Sequence, residues 1–153
     1  MRIFSSDGAA GITVLESTGD FLQGSIPPEI GQLKNLQDLQ LHRNEFIGSI
    51  PSELGQLSKL KNLRLDRNQL TDSEPGAFSG LLAIDYINVR ENQLTQQAVD
   101  SIINDIYQDR GKHMSWRKDL YLNFDNAAPS QTGCVQMNDL NTNYGWMIYT
   151  EGC

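Results

Sequence analysis

The sequence predicts an α/β solenoid in which short parallel strands stack coil upon coil over one continuous apolar core. Three observations carry that expectation. Leu36, Leu39, Leu41 and Asn44 return as Leu60, Leu63, Leu65 and Asn68, a period of 24. Within each repeat apolar and polar residues alternate, as in a half-buried strand. A run rich in Gly and Pro recurs at a constant offset behind each strand, where a coil has to turn back on itself.

The elements follow in order. Residues 2–6 and 12–17 pair as a hairpin around Asp7 and Gly8, a dipeptide suited to a tight turn. The repeat frame then runs through Ile12, Leu15, Ser17 and Asp20, the two Leu repeats, and Ile84, Ile87, Val89 and Asn92. Between them, residues 24–33 and 48–57 match as Gly-Ser-Ile-Pro-x-Glu-x-Gly-Gln-Leu. Pro27, Pro51 and Pro75 mark places where neither helix interior nor central strand can run. In the third repeat Asp72 and Glu74 replace the Gly and the Ile, so the segment behind the strands is expected to end before it. Thr95 caps a helix from Gln96 with Ala98, Val99, Ile102, Ile103 and Ile106 on one face and Gly111 as its stop. Leu120, Leu122 and Phe124 alternate inward in a further strand, with Tyr121, Asn123 and Asp125 outward. Asn126 falls out of step with that alternation. Ser130 caps a second helix carrying Val135 and Leu140, and residues 146–149 form a last strand.

These residues resemble leucine-rich repeat proteins. The LxxLxLxxN strand half and the GxIPxxLGxL half are similar to the plant-type subclass of receptor-kinase ectodomains and of inhibitors of pectin-degrading enzymes. The stretch from Asn126 to Trp146 resembles the ending of bacterial secreted or surface members. The resemblance implies a right-handed solenoid with the parallel sheet on its concave face and a helical C-terminal cap. One domain then spans residues 1–153: a partial cap or hairpin over 1–11, four repeats over 12–107, and a last repeat with its cap over 108–153. It implies a structural ladder of Asp20, Asn44, Asn68 and Asn92, since a buried amide both donates and accepts. It also implies a location outside the cell or on its surface, where Cys134 and Cys153 can bridge two neighbouring cap elements; two unrelated thiols remain the alternative.

Composition narrows the function. Twelve Lys and Arg against nineteen Asp and Glu leave a charge of -7, a poor match for a phosphate backbone. Two Cys and two His cannot build a zinc-finger set and leave few partners for a catalytic triad. No apolar run approaches the length of a membrane span. The sequence therefore predicts no catalytic residues, metal, cofactor, nucleic-acid binding or membrane insertion.

The expected site is the outward strand face: Asp38, Gln40, His42, Arg43, Asn62, Arg64, Asp66, Arg67, Tyr86, Asn88, Arg90 and Tyr121. Five cationic or titratable groups fall close together there, against the sign of the whole chain. Arg and Tyr are also frequent binding hot spots. His42 lies near Asp38 and Asp66, an arrangement that can orient an imidazole, but no nucleophile motif accompanies it. His113 sits in the connection over residues 110–118 and is assigned no role. The expected function is non-catalytic recognition of a protein partner. An acidic or sulfated polysaccharide, or inhibition of a polysaccharide-degrading enzyme, stands as the alternative. Weak self-association through the N-terminal edge is the further expectation.

Overall fold

The computed structural model describes residues 2–4, 11–112, 118–122 and 125–153. The turn at Asp7 and Gly8, His113, Asn123 and Phe124 lie outside these. Among the described residues the strands build two sheets. β1 (Arg2–Phe4), β2 (Val14–Glu16), β4 (Asp38–Gln40), β6 (Asn62–Arg64), β8 (Tyr86–Asn88), β9 (Lys118–Tyr121) and β10 (Trp146–Tyr149) form one, in that order. β3 (Gln23–Gly24), β5 (Glu45–Ile50) and β7 (Gln69–Ser73) form the other. From β2 to β10 the first sheet is parallel throughout, and β1 joins β2 antiparallel.

Register sets the core. Leu15, Leu39, Leu63, Ile87 and Leu120 are consecutive partners across the sheet, and all are buried. Leu41, Leu65, Val89 and Leu122 form the next buried position along the coils. Each such side chain contributes about 1.5–3 kcal/mol on burial, but only when the adjacent coil covers it. Behind the sheet, Pro27 and Pro51 open short 3-10 helices at Pro28–Gln32 and Ser52–Gln56. These bury Ile30 and Leu54.

Asparagines satisfy the buried turn backbone. Asn44 Oδ1 accepts from the N–H of Asp20 and of Leu22, both at 3.1 Å. Asn68 Oδ1 accepts from Phe46, and Asn92 Oδ1 from Leu70. Each Nδ2 donates to carbonyls of its own coil and of the preceding one. The ladder differs from its expected extent at both ends. Asp20 is exposed and accepts from the Ser17 hydroxyl instead, because a carboxylate has no proton to give a carbonyl. At the far end Asn126 joins the ladder, donating to Val89 O at 3.0 Å and Leu122 O at 2.9 Å and accepting from Leu94.

Three further expectations are corrected. The second sheet does not end before the third repeat: β7 pairs with β5, with a register shift beside Gly48 and Ser49 that accommodates the changed sequence. The first helix, α1 (Gln96–Gln108), is capped at Thr95 but ends at Asp109, short of Gly111. In the second helix, α2 (Gln131–Asn143), Val135 is 65% exposed. Gly133, Met137 and Leu140 form the packed stripe, the i, i+4, i+7 spacing that Val135 misses.

α1 also holds the third repeat's turn. Asp105 Oδ2 accepts from the N–H of Gly76 at 2.9 Å and of Phe78 at 3.2 Å, and Asp109 Oδ2 accepts from Gly80 at 2.7 Å. Burial raises the Asp105 carboxyl above its ordinary range, outweighing these hydrogen bonds, and the charge of Asp109 acts in the same direction. Its stabilising contribution is therefore fully present below the unfolded carboxyl's pKa and is lost as pH rises through the raised folded value. Asp105→Asn keeps an acceptor oxygen and cannot charge. Its Tm relative to the parent is expected to climb as pH rises from about 4, the unfolded carboxyl's value, through the raised folded one. Asp105→Ala leaves two N–H groups without their acceptor and is expected to cost about 2 kcal/mol in chemical denaturation.

Candidate binding face

The outward side of the large sheet presents two rows. Val14, Asp38, Asn62, Tyr86, Asp119 and Met147 form the first. Glu16, Gln40, Arg64, Asn88, Tyr121 and Tyr149 form the second. Tyr121 thus aligns with Asn88, while Asp119 aligns with Tyr86. Asp125, at φ 61°, occupies the left-handed turn position held by Arg43, Arg67 and Glu91 in earlier coils, rather than the column of His42, Asp66 and Arg90. One cause explains the place of Asp125: three positions separate Val89 from Asn92, but four separate Leu122 from Asn126.

The charges pair more fully than the sequence suggests. Arg64 Nε and Nη2 lie 3.3 and 3.4 Å from the buried Asp66 carboxylate. Arg67 donates to Glu91 at 2.8 Å, and Arg90 meets the other Glu91 oxygen at 3.5 Å. Glu91 occupies the turn position that carries Arg43 and Arg67 in the preceding coils, so it sets a carboxylate inside the arginine column. Arg43 is exposed and makes no ion pair among the described residues. Asp38 accepts from Gln40 and from Asn62. The strip is a mixed-charge lattice, not a cationic surplus. His42 is buried beside Thr18 Oγ1 at 3.5 Å. Its burial, then the Arg64 charge, hold its pKa below the ordinary value, so it is neutral at pH 7.

Towards β10 the face becomes aromatic. Tyr121 stacks on Tyr149 with centroids 4.3 Å apart and planes 4° from parallel. Tyr86 leans on Tyr121 at 5.4 Å. Asn88 is buried beneath, donating to the Tyr86 hydroxyl and accepting from the Arg90 N–H, so it supports the surface rather than presenting itself. Met147, 42% exposed, continues the first row beyond Asp119. Burial and the neighbouring Tyr149 hydroxyl raise the Tyr121 pKa. Sequence reasoning missed Met147 and Tyr149; their positions one apart from Trp146 and Ile148 in a short apolar run were the available signal.

The leucine rich repeat family model matches residues 34–94, which hold β4, β6 and β8 and Asn44, Asn68 and Asn92. The chain is a leucine-rich repeat protein. Residues 24–33 and 48–57 are similar to plant-type repeats. A plant ice-binding protein of known structure is 30% identical, with a TM-score of 0.60 over 74% of this chain and 34% of that one. The ectodomain of the Arabidopsis thaliana membrane receptor kinase GASSHO1/SCHENGEN3, solved in complex with Casparian strip integrity factor 2, is 22% identical. It aligns over 95% of this chain and 19% of its own at a TM-score of 0.59. This leucine-rich repeat protein therefore spans about a third and a fifth of those two chains. No curated protein sequence matches it.

Elsewhere in the leucine-rich repeat protein, Cys134 of α2 and Cys153 form a disulfide with Cα atoms 5.6 Å apart. Among the described residues no cluster of three or more His, Cys, Asp or Glu can hold a metal ion. No described helix is long and apolar enough to cross a membrane. Asp38 turns to Gln40 and Asn62 and Asp66 to Arg64, so neither carboxylate hydrogen-bonds the His42 ring among the described residues.

Proposed function

We propose that this protein is a non-catalytic recognition module, working outside the cell or at its surface, that binds a protein partner across the outward face of the large sheet. The observation that carries the reading is the patch of Tyr86, Tyr121, Met147 and Tyr149, with Arg64 and Arg90 at its margin. Protein interfaces enrich these residue types at a centre poor in charge, with polar groups around it. Stacked tyrosines bury much area at little entropic cost, because they are already ordered. The GASSHO1/SCHENGEN3 ectodomain, with its bound factor, is one example of this architecture used for recognition. The disulfide suits an oxidising compartment. The acidic-polysaccharide reading loses ground, because Arg64, Arg67 and Arg90 are already matched by Asp66 and Glu91.

A displayed peptide library and a glycan array, probed with the same labelled protein, test the proposal. Enriched peptides that lose at least about tenfold in affinity against Tyr149→Ala are expected, and a smaller loss against Arg64→Ala or Arg90→Ala. Tyr149 and Arg90 lie on the outer face, so melting of their variants is expected to change little. Arg64→Ala leaves the buried Asp66 carboxylate unpaired and is expected to melt lower, so its binding is read well below that transition. Salt-sensitive binding confined to anionic glycans, with affinity untouched by Tyr149→Ala, defeats the protein-partner reading.

A further inference from the structure

The N-terminal end carries an apolar hole and an apolar knob side by side. Among the described residues the hole is a cavity of about 470 Å3, with Ile12, Leu15, Leu22, Ile30, Leu33 and Phe46 among its walls. The knob is Phe21. It is 76% exposed and does not line the cavity, although its neighbour Leu22 does. In the 24-residue frame its counterparts are Glu45, Gln69 and Gln93, all polar. Its backbone is left-handed, with φ 55°, an uncommon state for a bulky residue. The flanking N–H groups of Asp20 and Leu22 both donate to Asn44 Oδ1 at 3.1 Å, which pins the turn that holds the ring outward. Strain of this kind persists where the surroundings over-determine it, and it often marks a contact site.

We propose that two copies of this chain associate through their N-terminal ends, Phe21 of each seating in the apolar cavity of the other. A knob and a hole on one surface are self-complementary under a two-fold axis, and such a contact closes at two copies. The large sheet contributes no β2 edge to this contact, since β1 already pairs with it. Each phenylalanine buries roughly 150–250 Å2, so two rings and the cavity mouths stay below the roughly 1,200 Å2 of a stable complex. The dimer is accordingly weak. The charge of -7 on each copy opposes it at low salt.

Sedimentation equilibrium of the 153-residue chain in about 0.5 M salt, where the Debye length is short, reads the outcome directly. The weight-average mass is expected to rise from 17.1 kDa towards twice that value as concentration increases. Phe21→Gly is expected to weaken the dimer by at least about tenfold. The same variant is expected to melt no lower than the parent, because glycine adopts the left-handed backbone without strain. A parent that stays at 17.1 kDa throughout overturns the proposal, including one whose cavity takes up an apolar dye and so suits a small ligand instead. Association of Phe21→Gly as tight as that of the parent overturns it equally.

Discussion

Alanine at Asn92 is expected to destabilise the protein by about 2–3 kcal/mol, seen as a lower denaturant midpoint at an unchanged slope. The side chain is 1% exposed and ties two adjacent coils together. Its oxygen accepts from Leu70 N at 3.0 Å, while its nitrogen donates to Leu65 O at 3.1 Å and Val89 O at 2.9 Å. Truncation leaves the buried Leu70 N–H without its acceptor, at about 1–3 kcal/mol. It also takes one of two amide donors from each carbonyl, since Leu65 O keeps Asn68 and Val89 O keeps Asn126. The loss falls at coil–coil interfaces, on which a solenoid depends for nearly all its stability. Asn92→Asp keeps the acceptor but turns a second oxygen towards the two carbonyls. It is expected to be at least as damaging at pH 7 and to recover partly in acid, where a protonated carboxyl can donate once. A cost below about 1 kcal/mol for Asn92→Ala, the worth of a single ordinary hydrogen bond, contradicts this account.

Gly55→Ala is expected to cost about 3 kcal/mol or more, for a different reason. Gly55 lies in the second 3-10 helix, and a Cβ there meets the carbonyl oxygens of Gly76 and Ser79 in the next coil inside contact distance. Backbone cannot swing aside as a side-chain tip can, so the coils must separate. Two controls isolate the steric part. Gly48 has nothing within 4 Å of a Cβ but adopts φ 78°, so Gly48→Ala is expected to cost only about 1 kcal/mol, from conformation alone. Gly111 has neither neighbour nor positive φ, and Gly111→Ala is expected to lie within about 0.5 kcal/mol of the parent. Thermal melts of the three variants place them in that order, and a Gly55→Ala protein as stable as Gly111→Ala refutes the close-packing argument.

The same contrast runs through the site. Arg64 and Tyr121 were legible as outward residues because alternation along a strand is a property of the chain itself. The partner of Arg67 was not, because Glu91 is 24 residues away and becomes a neighbour only when coils stack. Nor was the place of Asp125, which depends on an extra residue between Leu122 and Asn126 that the strand cannot reveal.

By itself, the sequence determined the repeat, the buried rows from Leu15 to Leu120, the asparagine positions and the caps at Thr95 and Ser130. All follow from backbone periodicity and from hydrogen bonds within a few residues of each other. Only the tertiary structure decided that arginines expected as a cationic strip are largely neutralised, that Tyr149 extends the aromatic patch, and that Phe21 stands outside a cavity its own coil leaves open. Each of these depends on which side chains meet across adjacent coils, and parallel stacking brings residues more than twenty positions apart into contact while local pattern is silent about the pairing.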